Sequence, residues 1–291
     1  MRSKIVKSVA VLAFAAPIAA PAAVVSLTHS GIASAATACP AGMTAKTGGS
    51  YTQSQQNLTP IRIKSSNSCY TGISVKGNFS TTTNWWQMKQ CCNGAAITVD
   101  SGPVTLTNSY SYNAGVDGIR TWNGAAVTLL GTHEVYTRDD CISDISHGDL
   151  IIRDSLFDGC HTGISWRSTN NNNKKLFKVD IQNTMFYVQP EPGSTSGGNC
   201  TQYVVNGKAN GPMWKMDSVQ SGVYLKNVII RQDLGNHECA DKWPTGTYSN
   251  VTFVWTGSGT YPGKLPAGVT LTRDVSVWNN ARTQWLATHS N

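Results

Sequence analysis

Charged side chains are scarce in this chain, and they are not clustered. Asp, Glu, Lys and Arg make up 13% of the 291 residues, with 23 basic and 16 acidic side chains and a net charge of +7. Without the three basic residues of the N-terminal leader described below, the net charge is +4. A nucleic-acid-binding domain requires a clustered basic stripe. No such stripe is present, so we predict no nucleic-acid partner.

Long apolar runs are missing outside the N terminus. Residues 1–7 carry three positive charges, a largely apolar run extends from Val9 to Leu27, and Ala-Ser-Ala follows at residues 33–35. This order is typical of a secretory signal peptide. No later run is long and apolar enough to predict a membrane-spanning helix. We therefore predict a signal peptide over residues 1–35 and a secreted, extracellular, monomeric protein from residue 36.

The cysteines lack the close Cys-x-x-Cys spacing of a zinc site. All eight follow the predicted leader: Cys39, Cys69, Cys91, Cys92, Cys141, Cys160, Cys200 and Cys239. An even number of cysteines in an exported chain favours disulfides over free thiols. We expect the adjacent Cys91 and Cys92 to bond to other cysteines rather than to each other.

Helical periodicity is nearly absent, and a repeat of 22 or 23 residues takes its place. The segment from Val104 aligns without a gap over 16 residues with the segment from Val127, and a third copy starts at Leu150 after one deletion. The isoleucines that close the three copies are 23 and 22 residues apart. Short runs of Val, Ile, Leu and Thr between Gly, Asn, Asp and Ser predict strands. Repeats of this length without a helix predict an all-β, single-stranded parallel β-solenoid with coils of about 22–23 residues.

Two rival folds fit less well. A leucine-rich repeat has a similar period, but its Leu-x-x-Leu-x-Leu spacing is missing. A β-sandwich would not give a gapless self-match over one period. We predict one domain over residues 36–291, with an N-terminal cap region (36–94), coils (95–280) and a C-terminal tail (281–291).

The alignment places four chemically versatile side chains on three successive coils. Asp139 and His161 share one column, and Asp117 and Asp140 share the next. With coils about 4.8 Å apart, the four residues gather within about 10 Å along the axis. Carboxylates this close repel one another, so we expect at least one raised pKa, as in the paired acids of glycosidases.

Two observations favour a structural role for these acids instead. Short polar residues often cap bends. In addition, a straight strand would turn Asp117 and Asp140 inward, onto the same face as the closing isoleucines. A bend at Gly118 would release Asp117, but Cys141 offers no obvious equivalent for Asp140.

The acidic motifs resemble those of a known family. Val-Asp-Gly-Ile (116–119), Arg-Asp-Asp-Cys-Ile (138–142) and Cys-His-Thr-Gly-Ile (160–164) are spaced like the Asn-Thr-Asp-Gly, Asp-Asp-Cys and Gly-His-Gly motifs of polygalacturonases. Over residues 90–280 the chain resembles the wider group that contains them, the right-handed parallel β-helix proteins of the pectin-lyase-like superfamily. The resemblance implies a right-handed parallel β-helix and a carbohydrate-active enzyme.

The same resemblance implies a role for each motif residue. Asp117 and Asp139 would act on the attacking water, Asp140 would protonate the leaving oxygen, and His161 would support or orient them. These assignments come from the family and not from the spacing alone.

The chain departs from the family at several positions. Gly115 and Val116 replace the Asn and Thr of the first motif, and the Arg-Ile-Lys that grips the substrate carboxylate has no counterpart on the coil after the histidine. The Arg-Ile-Lys at residues 62–64 precedes the aspartates, so we discount it. The resemblance also implies a disulfide between Cys141 and Cys160.

Cations and tryptophans flank the acidic columns. Arg120, Arg138 and Arg167 are candidates for binding a substrate carboxylate, and Trp122 and Trp166 for stacking on a sugar ring. The alternative is that the arginines only neutralise the aspartates and that the tryptophans are ordinary surface aromatics.

These features predict a secreted glycoside hydrolase that degrades a polysaccharide with paired aspartates, by inversion and without a cofactor. The first alternative is a pectate-type lyase, in which Asp117, Asp140 and Asp144 would hold Ca²⁺ and Arg120 or Arg167 would abstract a proton. The second is a non-catalytic solenoid that binds carbohydrate or a cell surface. The sequence does not identify the sugar.

Overall fold

The computed structural model describes residues 39–144, 148–166, 177–193, 205–216, 222–234 and 242–289. The predicted signal peptide lies outside these residues, as do Arg167, Cys200 and Cys239. Among the described residues, no helix combines the length and the apolar character needed to cross a membrane.

Strands predominate in the described part of the chain, which also has two helices, α1 (Trp85–Cys91) and α2 (Ser276–Thr288). The strands are β1 (Thr44–Thr47), β2 (Ser50–Gln53), β3 (Ile61–Ile63), β4 (Ser68–Thr71), β5 (Ser74–Gly77), β6 (Ala95–Val99), β7 (Val104–Thr107), β8 (Tyr110–Tyr112), β9 (Asp117–Thr121), β10 (Val127–Leu130), β11 (His133–Asp144), β12 (Leu150–Arg153), β13 (Leu156–Trp166), β14 (Val179–Val188), β15 (Glu191–Pro192), β16 (Lys208–Ala209), β17 (Trp214–Met216), β18 (Val223–Gln232), β19 (Gly246–Trp255) and β20 (Val269–Thr272). Eighteen of them form one large parallel sheet that curls like a half-barrel, and β15 and β16 form a separate antiparallel pair. The predicted all-β class with parallel strands is confirmed at this level.

The strand register follows the sequence repeat. Val127 of β10 pairs with Val104 of β7 on one side and with Leu150 of β12 on the other. The closing isoleucines of the same three repeats pair in the same way. Paired residues of a parallel sheet stack their side chains in columns, and these columns form the core. One buried column consists of Val104, Val127, Leu150, Val179 and Val223.

A second column consists of Asn, Asp and Gly residues at one aligned position of the repeat. This position has a positive φ in seven successive repeats: Gly72, Asn108, Gly131, Asp154, Asn183, Asn227 and Asn250. Gly, Asn and Asp enter this left-handed conformation more readily than other residues. In three successive repeats the side-chain amides also bond to one another, because Asn227 donates to Asn183 and Asn250 donates to Asn227, both at 2.9 Å. The chain therefore turns at the same place in each repeat.

The N-terminal region, predicted as a cap region over residues 36–94, contributes strands of its own to the sheet. Its strands β1–β5 already belong to the parallel sheet, since Thr44 pairs with Ser68 and Ser68 pairs with Val104. The spacing between Ser68 and Val104 is longer than one repeat, because residues 78–94 leave the sheet between them and include α1. We call residues 78–94 the cap segment. This insertion hides the repeat from a sequence self-match.

The C-terminal end also differs from the prediction of coils to residue 280 followed by a tail. Helix α2 begins at Ser276, and Trp278 and Trp285 are buried on one of its faces. These tryptophans and Ala281 pack in one apolar cluster with Leu156, Met185, Ile229 and Val254. Residues seven apart lie on the same side of a helix, so this spacing suits a helix that covers the sheet.

Three disulfides join the described cysteines, Cys39–Cys69, Cys91–Cys92 and Cys141–Cys160. The bond between Cys141 and Cys160 that the resemblance implied is confirmed. The expectation that Cys91 and Cys92 bond elsewhere is wrong. Helix α1 ends there, and Cys92 leaves the helical conformation with φ −139° and ψ 35°, which brings its sulfur onto that of Cys91.

Candidate active site

Three carboxyl groups meet at one place on the sheet. Asp117 lies at the start of β9, and Asp139 and Asp140 lie within β11. One oxygen from each falls within 4.8 Å of the others. All three side chains line a cavity of about 140 Å³, which we call the acid cavity. Its lining residues are Lys89, Asn93, Asp117, Arg120, Trp122, Asp139, Asp140, Ser143 and Lys215.

Asp140 reaches this cavity because strand alternation breaks beside it in β11. The pairing of β11 with β13 shifts register between Thr137 and Asp140. The consecutive Cys141 and Ile142 are then both buried in the core, which a regular strand would not allow. The break that the sequence left unexplained at Cys141 is therefore an irregularity of β11, and the disulfide of Cys141 fixes its inward direction.

Gly118 packs directly against a further buried acid, Glu134. A Cβ on Gly118 would collide with the carboxylate of Glu134, which is 1% exposed beneath it. Burial raises the pKa of Glu134 well above its usual range. The Thr137 Oγ1 hydroxyl donates to Glu134 Oε2 at 3.4 Å. Sequence reasoning missed this acid because it lies outside the Arg-Asp-Asp-Cys-Ile motif of the same strand and aligns with Ser111 and Phe157 in the neighbouring repeats.

A cation stands beside each carboxylate. The distances are 2.7 Å from Arg120 Nη2 to Asp117 Oδ2, 3.6 Å from Lys89 Nζ to Asp139 Oδ2, and 3.5 Å from Lys215 Nζ to Asp140 Oδ1. Arg120 was a sequence candidate, whereas both lysines were missed. Opposite charges at these distances stabilise the ionised carboxylates.

Lys215 lies on the repeat that follows His161. In β17 it pairs with Ser165 of β13. The sequence showed no substrate-gripping cation on that repeat, because a long insertion separates β13 from β17 and no motif marks Met-Trp-Lys-Met at residues 213–216. The only sign would have been the apolar residues on both sides of the lysine.

The acids differ in pKa although they share a cavity. Burial raises the pKa of Asp117, against the opposing effect of Arg120 and with a further contribution from Asp139. Burial would also raise the pKa of Asp139, but Lys215, the neighbouring His161 and Lys89 together lower it. One carboxyl group is thus biased toward its protonated form and its neighbour toward its ionised form.

His161 supports the site from behind the cavity wall. Its side chain is 1% exposed and its Nδ1 lies 3.8 Å from Asp139 Oδ1. The ring of Trp85, in α1, lies against the imidazole with centroids 4.9 Å apart. His161 does not line the acid cavity, so this geometry makes it a positioning residue for Asp139.

Two other predicted substrate-binding residues lie elsewhere. Arg138 is fully buried, and its Nη2 donates to the backbone oxygen of Ser80 at 2.5 Å and to Asn113 Oδ1 at 2.9 Å. Its guanidinium therefore anchors the cap segment and does not face the acid cavity. Trp166 is also fully buried and stacks on Trp214 in the core, so no sugar ring reaches it. Arg167 is outside the described residues, and Trp122 lines the cavity as expected.

The calcium set of the lyase alternative does not come together. Asp144 does not line the acid cavity, and its Oδ1 accepts from Thr121 Oγ1 at 2.7 Å and from the Gly148 backbone at 3.3 Å. Ca²⁺ needs six to eight oxygen ligands. A cation bound at the other acids would also be repelled by the two lysines and the arginine beside them. These residues do not fit a Ca²⁺ ion.

Comparison with known proteins gives no match to any family model, curated protein or solved structure. The function must therefore be argued from the geometry of the site.

Proposed function

We propose that the chain is a single-stranded, right-handed parallel β-helix related to the pectin-lyase-like superfamily. Parallel pairing at the offset of the sequence repeat, buried side-chain columns and a column of left-handed turn residues support this architecture. A left-handed winding in an experimental structure would overturn it.

We propose that the protein is a glycoside hydrolase. The supporting observation is the pair of carboxyl groups in one cavity with opposite pKa shifts, the arrangement that separates an acid from a base. Asp117 protonates the glycosidic oxygen, and ionised Asp139 faces the anomeric carbon. Water supplies a hydroxyl to that carbon and a proton to the acid. This division of roles differs from the one the family resemblance implies.

The stereochemistry depends on the spacing of the carboxyl groups. Inverting enzymes hold them roughly 6.5–9.5 Å apart, and retaining enzymes about 5–5.5 Å apart. The oxygens of Asp117 and Asp139 approach within 4.8 Å, which favours retention with Asp139 as the nucleophile. The inversion expected from the sequence stays a prediction. Proton NMR of the first product decides: the substrate's anomer indicates retention, and the opposite anomer indicates that Asp139 activates water.

We infer that the substrate carries uronic acids. With Asp117 protonated, Lys89, Arg120 and Lys215 outnumber the two remaining carboxylates in the acid cavity. A sugar carboxylate would be attracted to this excess of positive charge. Export to the extracellular space remains part of the proposal, and the disulfides support it because they persist in oxidising compartments.

The test is incubation of the protein with a panel of acidic and neutral polysaccharides, with Ca²⁺ and with chelator. We expect new reducing ends on a uronate polymer, unaffected by chelator and without the absorbance of an unsaturated product. Asp139→Asn should reduce the rate by a factor of about 10²–10⁴. Asp149→Asn, which alters an exposed acid outside the cavity, is the matched control and should keep the rate.

The same experiment separates the alternatives. A calcium-dependent unsaturated product would replace the hydrolase by a lyase. Glycan binding without cleavage, unchanged in Asp139→Asn, would indicate a non-catalytic binding protein.

A further inference from the structure

A second cavity lies at the other end of the cap segment. Its volume is about 320 Å³, and it shares no lining residue with the acid cavity. Thr81 of the cap segment, Tyr136 of β11 and Tyr187 of β14 line it, together with Gln189, Glu191 and Lys208. We call it the tyrosine cavity. A volume of this size is within the range of small-molecule sites.

Tyr136 occupies a backbone position that suits it poorly. Its φ is +59°, and the equivalent residues of the neighbouring repeats are Asn113 at +56° and Gly159 at +105°. Asn and Gly are the residues expected in this left-handed conformation, whereas a bulky aromatic residue is an outlier there. Backbone strain of this kind concentrates at functional sites. The outlier here points to a use for the ring on the cavity wall.

Both tyrosines are held in place by their neighbours. The Tyr136 hydroxyl donates to the backbone oxygen of Thr81 at 2.9 Å, and the Arg138 guanidinium lies 4.8 Å from the ring centroid. The Tyr187 hydroxyl donates to Asp233 Oδ2 at 2.6 Å, and the Arg231 guanidinium lies 4.4 Å from its ring. Rings fixed in this way lose little freedom when a ligand binds.

The polar groups of the cavity suit a ligand with many hydroxyls. Glu191 is 1% exposed, its carboxyl group accepts from Gln189 Nε2 at 2.7 Å, and its Oε2 lies 3.4 Å from the Tyr136 hydroxyl oxygen. Burial raises the pKa of Glu191 to about 7. Below neutral pH this group both donates and accepts hydrogen bonds. Lys208, at the exposed wall, balances the charge of Glu191 when that carboxyl group is ionised, so a ligand carboxylate meets no excess of positive charge there.

We propose that the tyrosine cavity binds an uncharged sugar unit of a glycan, at a site distinct from the acid cavity. Aromatic rings with fixed orientations, an amide and a carboxyl group are the combination that holds a sugar ring by its faces and hydroxyls. The choice of a glycan rests on the proposed function, whereas the cavity and its neutral, hydroxyl-binding character do not.

The test measures the binding of neutral oligosaccharides by titration calorimetry to full-length Asp139→Asn protein, in which turnover should be negligible. Xylo-, manno-, arabino- and cello-oligosaccharides are the probes, and an oligogalacturonate is the charged comparison. In this background Thr81→Trp, an exposed wall residue, should fill the cavity mouth and weaken neutral-sugar binding at least about tenfold. The matched control Thr82→Trp changes an exposed neighbour outside the lining and should stay within about twofold of the parent.

A second variant guards against misfolding of the first. Lys208→Trp, at another exposed wall residue, should give the same loss. Absence of binding by every neutral probe, equal binding in Thr81→Trp and Thr82→Trp, or a loss caused instead by Trp122→Ala in the acid cavity would overturn the proposal. Neutral-sugar binding that Thr81→Trp removes, in a protein whose wild type cleaves no polysaccharide, would sink the hydrolase and leave this site standing.

Discussion

At the scale of single residues, Lys215 favours the ionised form of Asp139, although no sequence motif marks this lysine. It is the strongest of the charges that lower the pKa of Asp139 against the opposing effect of burial. Its ammonium group also lies 3.5 Å from Asp140. The proposed hydrolase requires Asp139 ionised and Asp117 protonated, so its activity should rise as Asp139 loses its proton and fall at higher pH as Asp117 does. These two limbs belong to the coupled pair and not to isolated residues.

Lys215→Met should therefore move the acidic limb of kcat/KM to higher pH. Removing the cation raises the pKa of Asp139, because an opposite charge within hydrogen-bonding or near-contact distance lowers the pKa of a carboxyl group by about one unit or more. The pH dependence of kcat/KM on the cleaved polysaccharide measures the shift. Lys226→Met, at an exposed position of β18, is the control and should leave the limb in place. An unmoved acidic limb in Lys215→Met would contradict the role given to Asp139.

Glu134 should make the folded protein less stable as the pH rises. Folding raises its pKa. Its contribution to the free energy of unfolding is therefore complete below the pKa of the unfolded state, near 4.5, and is lost as the pH rises through the pKa of the folded state. Glu134→Gln removes the titration and keeps the shape. Between those two pKa values, we expect the free energy of unfolding of the variant to rise relative to that of the wild type by about 1.4 kcal/mol for each pH unit. Urea unfolding at pH 5 and pH 8 measures the difference, and parallel pH slopes of the two proteins would rule the prediction out.

At the scale of the elements, the turn column is held by backbone conformation and by its amide ladder. Asn227 combines a φ of +54° with hydrogen bonds to Asn183 and Asn250. Asn227→Ala should lower the free energy of unfolding by about 2 kcal/mol, because it loses the ladder and strains the left-handed backbone. Asn227→Gly loses the amide hydrogen bonds but adopts a positive φ without strain, so its free energy of unfolding should fall by less. Guanidinium unfolding compares the two variants, and equal losses would mean that the backbone conformation contributes nothing.

The elements also show how far the sequence could be followed. Repeats of 22 or 23 residues without insertions were predicted with their register, because stacked positions share the same apolar residues. The strands before residue 78 and the strand that carries Lys215 were missed, because insertions displace them from the period. Helix α2 was missed because the β pattern just before it extends into its first turn. The direction of side chains at Asp140 could not be predicted, since it depends on a register shift opposite β13.

At the scale of the whole molecule, the cap segment separates the two cavities. It contributes Lys89 and Asn93 to the acid cavity and Thr81 to the tyrosine cavity. Arg138, predicted to bind substrate, instead fixes this segment through the backbone oxygen of Ser80. The residue order of β11, from Tyr136 through Arg138 to Asp139, therefore links both cavities and the segment between them.

Helix α2 covers the outside of the sheet, and its contact with His133 should make the protein acid-sensitive. His133 lies edge-on to the Trp285 ring, with centroids 5.2 Å apart. Burial lowers the pKa of His133 to about 4, with Asp158 opposing and Arg282 and His289 adding smaller effects. The unfolded chain binds this proton near pH 6.5 and the folded chain only near pH 4, so stability should fall as the pH drops across that interval.

His133→Phe should remove that part of the acid sensitivity while keeping a ring against Trp285. The difference in pKa between the folded and unfolded states corresponds to a loss of at most about 3 kcal/mol in the free energy of unfolding between pH 7 and pH 4. Thermal unfolding followed by circular dichroism at both pH values measures it. His289 has the opposite effect on stability. Burial alone would lower its pKa, but the hydrogen bond with Asp154 helps to raise it above the usual value. Its contribution to the free energy of unfolding is therefore lost as the pH rises. His289→Gln removes that opposing contribution, so the variant should still lose stability as the pH falls. An acid slope that persists unchanged in His133→Phe would place the titrating group elsewhere in the molecule.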